Sequence, residues 1–93
     1  MTTFIDILSQ VIEDRKQHPT PGSYTNRLLQ DPPQAAQKVG EEATEVVIAA
    51  LVQDDEHVLD ETADLIYHTL VLLSSRNLTW RQVMERLERR HKP

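Results

Sequence analysis

The chain has 93 residues, two glycines and no cysteine, and its formal net charge at pH 7 is −5. A chain of this length forms a single domain, 1–93, with a core so small that a partner subunit is expected to add stability. The missing cysteine excludes disulfide bonds, thiolate zinc sites and a cysteine nucleophile. The N-terminus has no secretory pattern and no apolar run reaches the roughly 20 residues of a membrane span, so we expect a cytoplasmic protein without membrane contact.

The first half of the chain predicts helices with clear boundaries. Scarce glycine and little alternation of β-branched residues favour an all-α fold with four main helices. The first helix is predicted over 4–16, with Thr3 and Asp6 forming its N-terminal cap. The segment 18–22 contains two prolines and ends this helix. A short helical turn is then predicted over 23–29.

The second and third helices are predicted to form the centre of the fold. Asp31 precedes two prolines and caps a helix over 32–52. The acids at 54–56 favour the start of a third helix, which runs to about residue 75 and ends near Asn77. Because only a few residues join these two helices, we expect an antiparallel helical hairpin, with dimerisation completing a helical bundle.

The fourth helix has the best-marked start. Thr79 and Gln82 match a capping box, and Leu78 with Val83 match a hydrophobic staple. Its apolar face includes Trp80, which we interpret as a packing anchor.

Acidic residues are concentrated in the middle of the chain. The segment 41–64 contains nine acids and neither Lys nor Arg, whereas the rest contains six acids and ten basic residues. An acidic middle is a poor nucleic-acid surface, because phosphate backbones require a cationic one. The acidic segment suits a metal-binding site, with basic groups around it to receive phosphates. The alternative is a set of ordinary solvated helix faces.

Four of these acids form two pairs at helical spacing. Glu42 and Glu45 lie on adjacent turns of the second helix, and Glu61 and Asp64 do the same on the third. Apolar residues border both acidic stripes, which predicts that each helix buries more than one side. Partly buried carboxylates are costly unless they are paired or bind a metal, and Lys38 is the only basic residue on either stripe. The four carboxylates therefore predict a site for Mg²⁺, with Mn²⁺ as a substitute. The alternative is a group of surface acids in a dimer groove.

Two groups of motifs carry a family resemblance. The string K-V-G-E-E-A-T-E at 38–45, followed by E-T-A-D at 61–64, resembles the acidic signature of the all-α, MazG-like nucleotide pyrophosphohydrolases. The S-Y-T string at 23–25 and the segment 64–73 are similar to the phosphoribosyl-ATP pyrophosphohydrolase family within that group. The proline-rich segment 31–37 departs from the pattern of that family.

The resemblance implies an enzyme that hydrolyses the α–β anhydride of phosphoribosyl-ATP to phosphoribosyl-AMP and pyrophosphate, the second step of histidine biosynthesis. It also implies Mg²⁺ dependence and a homodimer. The positions that match the family's metal ligands are those of the two acidic pairs: Glu42, Glu45, Glu61 and Asp64.

Several neighbouring residues receive candidate roles. We interpret Glu41, together with Glu42 and Glu45, as catalytic; Glu41 orients water or holds a second metal, or else is an ordinary solvated side chain. Lys38 and Arg27 are candidate phosphate contacts, with a structural ion pair as the alternative for Lys38. The line of Glu61 and Asp64 continues to a histidine, His68, that either bonds a metal-bound carboxylate or is simply packed.

Two other functions are compatible with the sequence. A house-cleaning pyrophosphohydrolase acting on non-standard nucleoside triphosphates would share every metal ligand and differ in its base pocket. A non-catalytic helical dimerisation module would use the same acids only for solubility.

Overall fold

The structure is a computed structural model that describes residues 2–93, and these residues form five helices and no strand. The helices are α1 Phe4–Gln17, α2 Tyr24–Leu29, α3 Pro32–Val52, α4 Asp55–Ser75 and α5 Trp80–Arg90. The predicted all-α class is confirmed, with four main helices and one short one. Across residues 2–93, the structure contains no helix with both the length and the apolar character to cross a membrane.

Side-chain caps define the helix ends, as the sequence predicted. At the start of α1, the Asp6 amide donates to the Thr3 hydroxyl and the Thr3 amide donates to the Asp6 carboxylate. Thr79 and Gln82 make the same reciprocal pair at the start of α5. After α4, Asn77 adopts a left-handed backbone with φ of 58°, a conformation that asparagine tolerates well.

Helices α3 and α4 pack against each other more extensively than any other pair. Each has 21 residues, and only Gln53 and Asp54 connect them. Asp31 caps α3 by accepting from the Gln34 amide, and Asp54 caps α4 by accepting from the His57 amide. Both helices therefore begin at fixed points, and the contact between them brings their acidic stripes together.

The core is small and includes the short helix α2. Its buried members are Ile12, Leu28, Ala35, Leu70 and Val71. Leu28 is fully buried, so α2 is fixed to the core despite having only six residues. Trp80 packs against the same core, which confirms its interpretation as an anchor.

One prediction about burial is wrong for the single chain. The apolar residues beyond the acidic stripe of α3 were expected to be buried, yet Ile48 is 41% and Val52 76% exposed. Leu51 on α3 and Leu59 on α4 are also exposed, at 77% and 62%. Residues 2–93 therefore leave much of this apolar surface uncovered.

Candidate functional site

Three of the four predicted metal ligands meet between α3 and α4. One carboxylate oxygen each from Glu42, Glu61 and Asp64 lies within 4.8 Å of the others. Glu42 and Glu61 are half-buried, and Asp64 is exposed. Spacing of three residues places Glu61 and Asp64 on one face of α4, and helix packing places Glu42 opposite them. We call these three residues the acidic group.

Glu45 lies outside the acidic group. It is one turn beyond Glu42 on α3 and is exposed. Its charge nevertheless contributes to the electrostatic environment of Glu61. The structure thus assembles three predicted ligands and leaves the fourth at the edge.

The carboxylates of the acidic group repel one another. Partial removal from water raises the pKa of Glu61, and the charges of Asp64, Glu42 and Glu45 raise it further. A raised pKa means that the ionised form is disfavoured, so a bound cation would relieve this repulsion. Three carboxylate groups form the hard oxygen donor set that Mg²⁺ and Mn²⁺ prefer, so the residues present fit such an ion.

Lys38 lies beside the acidic group and is paired with two acids. Its Nζ is 3.1 Å from Glu41 Oε2 and 3.3 Å from Glu42 Oε1. The hydrogen bond to Glu41, and then the one to Glu42, raises the pKa of Lys38. The ion pair that its spacing allowed is therefore present, and it places a cation directly against a predicted metal ligand.

Glu41 is held at the rim by its own helix. Gln37 Nε2 donates to Glu41 Oε1 at 3.0 Å, and Lys38 pairs with the other oxygen. The Lys38 contact, followed by that of Gln37, lowers the pKa of Glu41. Glu41 is not a member of the acidic group. Its role in orienting water stays a prediction.

Helix α2 supplies an aromatic wall that the sequence did not predict. Tyr24 Oη lies 2.9 Å from His68 Nε2, and His68 Nδ1 lies 2.7 Å from the main-chain oxygen of Asp64. His68 is only 7% exposed. It thus bonds a backbone carbonyl and a tyrosine, so the packed histidine is the alternative that the structure shows. The guanidinium of Arg27 lies 5.3 Å from the centre of the Tyr24 ring.

The next residue of α2 makes a parallel contact. The hydroxyl groups of Thr25 and Tyr67 are hydrogen-bonded, and the Tyr67 ring stacks near Tyr24 with centroids 6.4 Å apart. The one sequence signal for this wall was the S-Y-T string at 23–25, whose contacts depend on α2 folding back over α4.

Fold and site together define an all-α protein with a carboxylate-lined site between two long packed helices. Residues 5–91 match the family described as phosphoribosyl-ATP pyrophosphohydrolase. The chain belongs to this family.

Curated relatives agree with the family match. The phosphoribosyl-ATP pyrophosphatase of Sulfolobus acidocaldarius is 46% identical over 89 residues, covering 95% of this chain and 94% of the relative. Histidine biosynthesis bifunctional proteins of Gloeobacter violaceus and Buchnera aphidicola are 50% and 44% identical, each over 94% of this chain. The chain spans only 41% and 42% of the lengths of these two bifunctional relatives.

Proposed function

We propose that the chain hydrolyses phosphoribosyl-ATP to phosphoribosyl-AMP and pyrophosphate, a step of histidine biosynthesis, with Mg²⁺ or Mn²⁺ as cofactor. Family membership and the names of its relatives support the reaction and the substrate. The structural observation that carries the proposal is the acidic group, in which three carboxylates from two helices converge within 4.8 Å. A cytoplasmic location fits an ATP-derived substrate.

The acidic group would hold the metal, and Glu45 would complete the ligand set from the next turn of α3. A bound divalent ion neutralises phosphate charge and lowers the pKa of a coordinated water. The chain itself keeps Glu42, Glu61 and Asp64 in place by the packing of α3 on α4, so these ligands require little rearrangement. Glu41, fixed at the rim by Gln37 and Lys38, orients the attacking water.

Lys38 and Arg27 are the cations that we propose to receive the phosphates. Lys38 lies against Glu42, and its ammonium group would bind a phosphate oxygen when Glu42 serves as a metal ligand. Arg27 presents a planar guanidinium, which matches two phosphate oxygens at once. Together they offset negative charge that develops on the departing pyrophosphate.

We further propose that α3 and α4 form an antiparallel hairpin. The two-residue connection supports this, because it leaves no length for a parallel return. Glu42 also lies about as far before the connection as Glu61 and Asp64 lie after it. Such symmetry about a short connection is typical of two helices that run in opposite directions.

A homodimer completes this architecture. The chain exposes 6846 Å², whereas a compact monomer of its mass exposes about 5,500 Å². Its radius of gyration of 14.4 Å likewise exceeds the roughly 12.3 Å of a compact domain of this length. The exposed apolar surface of α3 and α4 suits a second copy of the chain: Val47, Ile48, Leu51, Val52 and Leu59.

Release of pyrophosphate tests the proposed reaction. The protein is incubated with phosphoribosyl-ATP and, separately, with a panel of deoxynucleoside triphosphates, with and without Mg²⁺. We expect Mg²⁺-dependent turnover with phosphoribosyl-ATP to exceed that with every triphosphate. A preference for a deoxynucleoside triphosphate would overturn the substrate assignment.

Two substitutions test the ligands separately from the fold. Glu45→Gln and Asp64→Asn should lose nearly all turnover while retaining helical circular dichroism. Asp60→Asn is a matched control, because Asp60 is an exposed acid on α4 outside the acidic group. Substantial activity in either ligand variant would show that its residue is not required.

A further inference from the structure

Two adjacent hydrogen bonds fasten α2 to α4. Tyr24 bonds His68, and the next residue, Thr25, bonds Tyr67, so consecutive residues of one helix meet consecutive residues of the other. Six residues are too few for an isolated helix to be stable in water. The position of α2 therefore depends on these bonds and on the burial of Leu28.

The Tyr24–His68 bond has a defined direction when the imidazole is neutral. A main-chain carbonyl can only accept, so His68 Nδ1 carries the proton that is donated to Asp64 O. The other nitrogen, Nε2, then accepts from the Tyr24 hydroxyl. Because His68 is almost fully buried, removing the Tyr24 hydroxyl would leave Nε2 without its partner.

Arg27 is held by an aromatic ring and not by a carboxylate. Its guanidinium lies over the Tyr24 ring, and within residues 2–93 it makes no salt bridge. Lys38, by contrast, is paired with both Glu41 and Glu42. A guanidinium that lies over an aromatic ring is attracted to the ring face without using its N–H donors. Arg27 can therefore still bind an anion.

We propose that Tyr24 is a positioning residue: its hydroxyl is fixed by His68, and its ring holds the Arg27 guanidinium so that it can receive a phosphate of the nucleotide. His68 is also bonded to the backbone of Asp64, so one chain of contacts links the guanidinium to a member of the acidic group. The identity of the nucleotide rests on the proposed function. The positioning itself concerns any ligand that carries a pyrophosphate group.

A double-mutant cycle on pyrophosphate binding tests this inference. The Kd of inorganic pyrophosphate, with Mg²⁺ present, is measured by calorimetry for Tyr24→Phe, Arg27→Met and the double variant. Loss of a charge-assisted contact in Arg27→Met should weaken binding about tenfold to hundredfold. Tyr24→Phe keeps the ring and loses only the hydroxyl, so it should weaken binding about twofold to tenfold. The double variant should match Arg27→Met alone.

Non-additivity is the decisive result, because Tyr24 is proposed to act through Arg27. Independent, multiplying effects would overturn the inference, as would an unchanged Kd in Tyr24→Phe. His68→Asn gives a second route: its shorter amide can still donate toward Asp64 but cannot reach Tyr24. It should weaken pyrophosphate binding as Tyr24→Phe does, and it should have no further effect in the Arg27→Met background.

Turnover separates this inference from the proposed function. With phosphoribosyl-ATP, Tyr24→Phe should raise KM more than it lowers kcat, since a mispositioned Arg27 weakens substrate binding first. If the unmodified protein shows no turnover of phosphoribosyl-ATP, the proposed function fails. The pyrophosphate cycle still decides the role of Tyr24, because it requires binding alone.

Discussion

The ammonium group of Lys38 lies 3.3 Å from Oε1 of Glu42, the α3 member of the acidic group. A divalent ion bound to Glu42 must share that carboxylate with Lys38 or displace it. Lys38 would therefore compete with the proposed metal for this carboxylate when no nucleotide is present. With the proposed nucleotide bound, Lys38 would have a phosphate to bind instead.

Lys38→Met should have opposite effects on the two ligands. Removing the competing charge should tighten Mg²⁺ binding to the nucleotide-free protein, by about twofold to tenfold at low ionic strength. The same change should raise KM for the nucleotide. Calorimetric titration with Mg²⁺ and steady-state kinetics measure the two effects. Lys92→Met, which removes an exposed charge after α5, is the matched control; weaker Mg²⁺ binding in Lys38→Met would contradict the competition.

Glu61→Gln should stabilise the metal-free protein and abolish its response to Mg²⁺. The pKa of Glu61 is raised, so its ionised form disfavours the folded state at neutral pH, and a neutral amide removes that cost. In the unmodified protein, Mg²⁺ should raise the melting temperature, because an ion held by the proposed site would bind only the folded state. Thermal melts with and without Mg²⁺ check both statements. Asp60→Asn should retain the Mg²⁺ response, and a Glu61→Gln protein that also retained it would not have lost a ligand.

Leu51→Glu should convert the proposed dimer to a monomer. Leu51 is 77% exposed in the single chain and lies within the apolar surface of α3 and α4. A charge buried in an apolar interface without a partner strongly opposes association. Light scattering after size-exclusion chromatography measures the mass. Leu87→Glu, on α5, should leave the dimer intact, and an unmodified protein that is already monomeric would refute the interface.

Thr79→Ala should destabilise the fold without affecting metal binding. The Thr79 hydroxyl accepts from the Gln82 amide at the start of α5. Loss of such a cap costs about 1 kcal/mol and lowers the melting temperature of a domain this size by about 4–8 °C. Urea unfolding measures the change, and Thr79→Ser should restore the stability. Because α5 supplies no member of the acidic group, the affinity for Mg²⁺ should be unchanged.

His57→Gln should remove a stabilising contribution that exists only in mildly acidic solution. The hydrogen bond to Asp54 at 2.7 Å raises the pKa of His57. The stability that this bond adds to the folded state is therefore fully present below the unfolded-state pKa of about 6.5. It is lost as pH rises through the folded-state pKa of His57. The backbone and side-chain hydrogen bonds from His57 lower the pKa of Asp54. The stability that the ionised Asp54 carboxylate adds is therefore lost as pH falls below about 4.

Unfolding midpoints across pH test this window. The difference between the unmodified protein and His57→Gln should be largest between about pH 4 and pH 6.5 and should shrink as pH rises through the folded-state pKa of His57. His91→Gln is the matched control, since His91 lies at the end of α5. A difference that grew toward alkaline pH would have the wrong sign for this pair.

Local signals explain why so much of the fold could be predicted. Caps such as Thr3 and Thr79 act within three residues, and proline and asparagine act on their own backbone, so their effects are visible in the sequence. The acidic group was predictable for a related reason. Spacing of three residues fixes Glu61 and Asp64 on one face, and a short connection brings α3 alongside.

The remaining features depend on contacts between distant segments. Tyr24 reaches His68 only because α2 folds back over α4, and no periodicity in the sequence encodes that return. The exposure of Glu45 depends on how closely α3 packs against α4, and the side chains between the two helices determine that packing. Ile48 and Val52 were predicted to be buried, yet they are exposed in the chain. The spacing of apolar residues in a sequence does not show whether the surface they form is covered within the same chain.

The connection of only Gln53 and Asp54 between α3 and α4 has a consequence for the order of folding. Contacts between neighbours in the chain close small loops, and small loops close quickly at little entropic cost. The acidic group should therefore be assembled early, before α1 and α5 dock on the core. A divalent ion that captured this nascent pair of helices would accelerate folding as well as stabilise its end product.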